Sequence, residues 1–223
     1  MEETRLLHKL IDAERLRILD ELALIGDGAD SFELVYDRIT NLTSIILRAP
    51  VVLVTLLTAN EQFFKSYTGL PEPWKSKRRT PLSHSFCKHV VATNQPLIVR
   101  DAREVSFLKN NKAISELDVI AYMGVPVAIN TVGGHRTHTL GSFCVIDDRP
   151  RLWRDVEVEI VQQFAGIITQ EIELKAKSRL DSRYETALDS LHESINQLID
   201  NLDTNLPHAQ FLAQIKALRA EKL

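Results

Sequence analysis

The sequence predicts an α+β domain built on an antiparallel sheet. Short apolar runs typical of strands come in pairs joined by tight turns, which is the arrangement of antiparallel hairpins. Helical patterns stand before, between and after these pairs and do not alternate with single strands. A parallel, doubly wound sheet is therefore not expected.

Two helices are expected before the first strand. Apolar residues recur at spacings of three and four through residues 3–25, which predicts an amphipathic helix. Gly26-Asp27-Gly28 ends it, because glycine accepts the left-handed backbone that follows a helix. Asp30 or Ser31 is expected to cap a second helix that extends to about Leu47.

The first hairpin is expected directly after this second helix. Residues 51–58 are short, unbroken and rich in β-branched side chains, which predicts a buried strand, and residues 62–67 predict its partner. Residues 68–81 are expected to form a loop punctuated by prolines. A short helix over residues 83–92, capped by Ser83 or Ser85, and a third strand over residues 96–100 follow.

A second hairpin and a long helix complete the predicted domain. Residues 101–117 are expected to be irregular to helical, and residues 119–129 and 139–146 to pair across a glycine turn at residues 132–135. From residue 154 the spacing is helical. Farther along, apolar residues alternate at spacings of four and three, as in a coiled-coil seam: Tyr184, Leu188, Leu191, Ile195, Leu198 and Leu202. Pro207 interrupts this pattern, and a last helix is expected around residues 211–218.

Composition indicates a cytoplasmic protein, and the pattern of helices and strands divides the chain into residues 1–26, 27–175 and 176–223. The net charge is −3, so electrostatics give no reason to expect a nucleic acid partner. Two cysteines make no disulfide framework, and no apolar run has the length of a membrane span or a signal peptide.

Six short motifs, in this order, resemble those of a GAF domain, the sensory module of many bacterial signalling proteins: Ala49-Pro50-Val51, Phe64-Lys65-Ser66, Ser85-Phe86-Cys87, residues 96–101, residues 122–126 and residues 141–147. The resemblance spans residues 20–172. It implies a central antiparallel sheet of five or six strands with terminal helices packed on one face and a long C-terminal helix. It also implies a ligand pocket on the other face and homodimers formed through the N- and C-terminal helices. On this basis residues 1–26 are expected to be a dimerisation helix, residues 27–175 a sensory domain, and residues 176–223 a signalling coiled-coil helix with a short terminal helix.

Three specialised branches of this family can be compared with the sequence. Bilin-binding relatives carry a cysteine that residues 115–121 lack, and Asn111-Lys112 is not followed by the rest of the cyclic-nucleotide motif. Free methionine sulfoxide reductases use two or three cysteines around the pocket, whereas only Cys87 is expected near the matching helix. Neither covalent bilin attachment at this site nor cyclic-nucleotide binding is expected.

Seven residues are predicted to bind the ligand: Trp74, Phe86, Cys87, Asp101, Phe107, Ile120 and Tyr122. Tyr122 and Ile120 alternate along one strand and so share a face. Asp101 ends a strand at the pocket border or fixes a turn through its own backbone. Trp74 covers the cavity or anchors its loop.

Cys87 has two interpretations. It is a small buried hydrophobe, as is Cys144, or a redox-sensing thiol whose thiolate is favoured in the first turn of a helix beside Lys88 and His89. His84, Cys87 and His89 do not share one helix face, so no metal site is expected. Motifs of nucleophilic, phosphate or dinucleotide sites are absent from the sequence, so no catalytic residue and no cofactor is predicted.

The predicted function is that of a non-catalytic sensory domain that binds an unidentified small molecule. No output motif follows residue 176, so the chain is expected either to act through an effector protein or to be a fragment that ends before its effector. No nucleic acid or membrane partner is expected. Two alternatives stay open: a redox enzyme or thiol sensor of the free methionine sulfoxide reductase kind, and a ligand-free dimerisation module. A pocket filled by Phe86, Phe107, Tyr122 and Phe143 would favour the last.

Overall fold

A computed structural model describes most of the chain and divides it into two compact units. The first contains the described residues up to Lys175, and the second contains those from Ala176 onward. The three predicted segments remain a prediction. The structure describes residues 6, 8–26, 31–130 and 136–201, with the side chains of these residues except at 31–33, 180, 183–185 and 187–201.

The secondary structure alternates helices with paired strands, as the α+β prediction requires. The helices are α1 (Ala13–Glu21), α2 (Ser31–Leu47), α3 (Trp74–Lys77), α4 (Cys87–Thr93), α5 (Lys112–Glu116) and α6 (Asp155–Asn201). The strands are β1 (Val51–Leu57), β2 (Glu61–Thr68), β3 (Arg79–Pro81), β4 (Leu97–Val99), β5 (Ala121–Asn130) and β6 (Thr137–Asp147). Short 3-10 helices span Leu82–His84 and Ala102–Glu104.

The six strands form one antiparallel sheet in the order β3-β2-β1-β6-β5-β4. The predicted fold class is therefore confirmed. The central strands β1 and β6 place Leu53 opposite Cys144, and β5 places Gly124 opposite Cys144. Gly141 is required where β6 passes β1, because an added Cβ would lie 1.8 Å from the Thr55 carbonyl oxygen.

The two faces of the sheet have different coverings. One face packs on α4 in a cluster of buried side chains that includes Leu53, Phe64 and Tyr122. The other face of β2 lies under α2, where the Ser66 hydroxyl donates to Asp37 Oδ1 at 2.5 Å.

α6 buries one stripe within the first unit. Val161, Ala165, Ile168 and Ile172 are each less than 5% exposed, so this side of the helix packs against the body of the domain.

The prediction of one continuous helix over residues 3–25 is wrong. A turn interrupts it before Asp12, whose carboxylate accepts a hydrogen bond from the Arg15 N–H at 2.8 Å and so caps α1. The buried Arg15 guanidinium donates to the Leu57 carbonyl at 2.6 Å, at the end of β1. This tertiary contact sets the position of α1, which ends at Glu21.

The predicted loop at residues 68–81 contains α3 and the edge strand β3. Arg78 adopts a left-handed backbone (φ 52°) and its guanidinium donates to the Lys65 carbonyl at 2.6 Å. These contacts turn the chain so that β3 pairs with the start of β2. A strand of three residues beside prolines leaves no periodicity to detect.

The short helix predicted over residues 83–92 begins only at Cys87, because residues 82–84 form a separate 3-10 helix. The other elements match their predictions or lie beyond what the structure describes. The second helix, both hairpins and the strand at residues 97–99 are confirmed, with the ends shifted by one or two residues. The turn at 132–135, the last helix around 211–218 and the side chains of the heptad seam from Tyr184 lie outside the described residues. None of the described helices is long and apolar enough to span a membrane.

Candidate functional site

A small cavity lies between the sheet and the segments that cover it. Leu53, Phe64, Tyr122 and Cys144 form the sheet wall, and the opposite wall comes from the 3-10 helix at Leu82–His84, from α4 and from α5. The cavity volume is about 30 Å³. Most of the lining is apolar, and the polar groups are those of Gln62, His84, Cys87 and Tyr122.

The Tyr122 ring forms part of the sheet wall of the cavity and contacts Phe86 and Cys87. The ring lies over Gly124, where an added Cβ would come within 2.1 Å of the Tyr122 hydroxyl oxygen. Its face meets Phe86 edge-on at 5.4 Å between ring centroids. The hydroxyl donates to Cys87 Sγ at 3.2 Å. Glycine at position 124 therefore allows the ring to lie flat on the sheet and to point its hydroxyl at a thiol.

Cys87 and Cys144 are brought together by the packing of α4 on β6. Their sulfur atoms lie 3.8 Å apart, and the residues are only 2% and 0% exposed. Burial raises the pKa of Cys87, but hydrogen bonds with Cys144, Thr55, Tyr122 and Ser142 together lower it to about 7. Burial raises the pKa of Cys144 well above its usual value. One of the two thiols therefore ionises much more readily than the other.

His84 closes the cavity on the side of α5. Its Nε2 lies 2.9 Å from a carboxylate oxygen of Glu116, and its Nδ1 lies 3.0 Å from the Ser83 hydroxyl. The hydrogen bond from His84 lowers the pKa of the Glu116 carboxyl. The ring also packs against Trp74 at 5.4 Å. A partly exposed hydrogen bond thus joins the two covering segments.

Gln62 and Ser85 join the sheet to the start of α4. The Ser85 hydroxyl donates to Gln62 Oε1 at 2.5 Å and accepts from the Lys88 N–H at 3.1 Å. The N-cap position of α4 is Phe86, and the Ser85 hydroxyl, one residue earlier, accepts an N–H of the first turn. Because Ser85 is fully buried and holds both elements, it fixes where α4 begins.

The structure brings three of the seven predicted ligand residues to the cavity. Phe86, Cys87 and Tyr122 line it. That these residues bind a ligand stays a prediction.

The other four predicted residues lie away from the cavity wall. Trp74 packs behind His84, and Phe107 is 52% exposed and stacks on His89 at 5.0 Å. Ile120 precedes β5, where its carbonyl accepts from the Ala102 N–H.

Asp101 stabilises the turn after β4, which was the alternative to a position at the border of the pocket. Its carboxylate accepts from the Arg103 N–H at 3.0 Å and from the Arg103 guanidinium at 2.6 Å. These bonds lower the pKa of Asp101, the side-chain contact with Arg103 being the largest cause. The carboxylate is thus engaged at the 3-10 helix that follows β4.

Sequence reasoning missed Gln62, His84 and Cys144 as cavity residues. The alternation of β6 was a usable signal for Cys144, because it shares a face with Ser142 and Ile146. His84 left no signal, since its 3-10 helix was predicted as part of a longer α-helix. In the part of the chain that the structure describes, no three His, Cys, Asp or Glu side chains form a group suited to a metal ion.

Comparison with solved structures supports the same fold. The GAF domain of Acinetobacter phosphoenolpyruvate-protein phosphotransferase has a TM-score of 0.53 at 15% identity, over 75% of this chain and 96% of that one. The GAF domain of a phosphoenolpyruvate-protein phosphotransferase from Coxiella burnetii has a TM-score of 0.54 at 18% identity, over 76% and 96%. Free methionine-R-sulfoxide reductase from Neisseria meningitidis, in complex with its substrate, has a TM-score of 0.52 at 13% identity, over 72% and 89%.

The sequence itself matches a family model. No curated protein matches the chain in sequence. The model of the GAF domain matches residues 31–172, which include α2, all six strands and the first part of α6. The chain belongs to the GAF domain family.

Proposed function

We propose that the protein is a non-catalytic sensory module in which a small molecule enters the cavity and changes the packing of a dimer formed through α2 and α6. GAF domains are generally sensory or ligand-binding modules, which supports the first half of the proposal. The observation that carries it is the cavity itself. A few polar groups set in apolar walls are typical of a small-molecule site.

The size of the cavity requires that the ligand open it. Pockets for metabolites usually measure roughly 300–1,000 Å³, whereas this cavity measures about 30 Å³. The covering segments are tied by partly exposed polar contacts: His84 to Glu116 at 2.9 Å, and the Asn111 side-chain amide to the Ser85 carbonyl at 3.2 Å. Glu116 is exposed and Asn111 is partly exposed, so solvent screens one end of each contact. A ligand that prefers the open arrangement would shift its population.

The proposed dimer is based on a stripe of apolar side chains on α6 that are exposed to solvent in the single chain. Val156, Ile167 and Leu174 are 52%, 42% and 57% exposed. At 3.6 residues per turn, this stripe lies roughly 140° around the helix from the buried stripe that begins at Val161. A second copy of the chain is the occupant we propose, because a symmetric pair would bury the same stripe on both helices.

The heptad register of the sequence supports this occupant. Counting back from Tyr184 in alternating steps of three and four reaches Leu174, Ile167, Ile160 and Val156. The exposed residues of α6 therefore continue the seam predicted from Tyr184 to Leu202. Polar residues occupy four positions of this register: Gln163, Gln170, Lys177 and Asp181.

A second uncovered stripe lies on α2. Leu34 and Ile45 are 62% and 73% exposed and lie roughly 120–140° around the helix from the buried Ile39. Both α2 and α6 thus carry exposed apolar side chains, which supports a dimer formed through these two helices. The predicted dimerisation helix at residues 1–26 stays a prediction.

Native mass spectrometry of the purified full chain, before and after denaturation, tests the proposal. We expect a dimer with an additional mass that denaturation removes. Ala113→Val should prevent this additional mass, because Ala113 lines the cavity and is 1% exposed. Ala102→Val is the matched control, since Ala102 is equally buried but does not line the cavity. A dimer that never carries a ligand would favour the ligand-free assembly module, and a monomer would contradict the dimer.

The reductase alternative has one observation in its favour, the two cysteines at the cavity. The cavity volume of about 30 Å³ does not separate the two functions, because free methionine sulfoxide would need the same opening as the proposed ligand. Turnover is therefore the measurement that distinguishes them. We expect no turnover of free methionine sulfoxide with dithiothreitol as reductant. Turnover that Cys87→Ser abolishes would establish the alternative.

A further inference from the structure

We propose that Cys87 and Cys144 form a redox-active dithiol that hydrogen peroxide converts into an intramolecular disulfide within the cavity. This site is separate from the proposed response to a ligand, since it requires no bound metabolite and no dimer.

The positions of the two sulfur atoms carry the inference. Cys87 begins α4 and Cys144 lies in the central strand β6, so they belong to different elements of the domain. Their sulfurs lie 3.8 Å apart, which is contact distance, and both residues line the cavity. A disulfide needs an S–S distance of about 2.05 Å, so the sulfurs must approach by roughly 1.7 Å.

The surroundings give the two thiols different roles. The Tyr122 hydroxyl donates to Cys87 Sγ at 3.2 Å and lies 3.5 Å from the Ser142 hydroxyl. A thiolate at Cys87 is therefore met by hydrogen-bond donors, which lower its pKa to about 7 even though burial opposes this. The pKa of Cys144 is raised, chiefly by burial. Cys87 is thus the attacking group and Cys144 the resolving thiol.

The reaction balances with hydrogen peroxide as the oxidant. The Cys87 thiolate attacks one peroxide oxygen, the O–O bond breaks, and the departing hydroxide takes up a proton to become water. The Cys144 thiol then attacks the sulfur of the Cys87 sulfenic acid. Its proton leaves with the sulfenic oxygen as a second water, and the S–S bond forms. Two thiols and one peroxide give one disulfide and two waters.

The size of the cavity selects the oxidant. A volume of about 30 Å³ accommodates a molecule close to water in size. Hydrogen peroxide is little larger, whereas an aromatic hydroperoxide cannot enter unless the covering segments move. Burial of both sulfurs also implies slow alkylation in the folded protein.

The test is oxidation of the reduced full chain by hydrogen peroxide, followed by denaturation, alkylation with iodoacetamide and intact mass measurement. We expect a monomeric chain that has lost two hydrogens and takes up no alkyl group, and that dithiothreitol restores. Cys144→Ser should stop at the sulfenic acid, which dimedone captures when the chain is denatured in its presence, and Cys87→Ser should not react. Cumene hydroperoxide should react at least about tenfold more slowly than hydrogen peroxide, if an excluded oxidant must wait for opening.

Tyr122→Phe separates a chemical role of the hydroxyl from a structural one. The ring remains over Gly124, but Cys87 loses a hydrogen-bond donor. Its oxidation at pH 7 should slow about tenfold and the pH–rate profile should move to higher pH. Tyr67→Phe is the matched control, because Tyr67 packs on the same core without lining the cavity.

Three results would overturn the proposal. The first is a wild-type chain that keeps two alkylatable thiols after excess peroxide. The second is a disulfide found only between two chains. The third is an equal rate for hydrogen peroxide and cumene hydroperoxide, which would reject the cavity as the route of the oxidant.

Discussion

Replacing Gly124 with alanine tests whether the Tyr122 ring truly rests on the sheet. The added Cβ would lie 2.1 Å from the Tyr122 hydroxyl oxygen and 2.5 Å from its Cζ, so the ring must move. Forced overpacking of a core costs about 1–3 kcal/mol. For a domain of this size that lowers Tm by about 2–12 °C. Thermal unfolding followed by circular dichroism, with urea unfolding for the free energy, measures the loss.

A double-mutant cycle assigns the cost to this contact. In a Tyr122→Leu background the clashing ring atoms are gone, so Gly124→Ala should be close to neutral. Gly166→Ala is the matched control on α6, because nothing lies within 4 Å of its added Cβ. Equal stability of Gly124→Ala and the wild type would refute the placement of Tyr122. So would the same loss in both backgrounds.

Three further predictions concern other parts of the domain. Burial and the charge of Lys88 lower the pKa of His89 from 6.5 to about 4. As the pH falls, the unfolded chain therefore takes up this proton before the folded chain does, and the free energy of unfolding decreases between pH 6.5 and 4. In His89→Gln, the free energy of unfolding measured with urea should depend less on pH over this range. Arg151→Ala should cost about 2 kcal/mol of unfolding free energy, since Arg151 donates to the Leu47 carbonyl and to Glu157, each at 2.7 Å. Gly166→Ala should raise the same free energy by about 0.5–1 kcal/mol, because glycine destabilises a helix interior.

Each of these has a result that would count against it. An unchanged acid sensitivity in His89→Gln would show that other groups dominate between pH 6.5 and 4. Arg151→Ala with wild-type stability would mean that the contact between the start of α6 and the end of α2 contributes nothing measurable. A destabilising Gly166→Ala would indicate that this face of α6 is already covered in solution.

Local pattern predicted most of the fold, and tertiary contacts explain what it missed. The strands at residues 51–57 and 139–146 were found because buried, β-branched runs are a short-range signal. The break before Asp12 was missed because it depends on Arg15 reaching the Leu57 carbonyl, 42 residues away. Such a contact leaves no trace in helical periodicity.

Cavity residues could be predicted from the sequence only where a single helix or strand determines their position. Tyr122 follows from strand alternation, and Phe86 and Cys87 from the short helix that begins beside them. The contact of Cys87 with Cys144 needs both the register that pairs Gly124 with Cys144 and the docking of α4 on β6. Neither is a property of a sequence window, so the dithiol became visible only in three dimensions.

The proposed signalling mechanism requires that the exposed α6 stripes of two copies pack together in parallel and in register. Only then can a ligand in the cavity change the packing of the dimer. Site-directed cross-linking tests this contact most directly, using single cysteines in a Cys87→Ser, Cys144→Ser chain and non-reducing electrophoresis after mild oxidation. Ile167→Cys and Leu174→Cys should form covalent dimers rapidly, whereas Gln162→Cys, exposed on another side of the helix, should remain monomeric. Equal cross-linking at positions 162, 167 and 174, or none at any of them, would contradict the dimer.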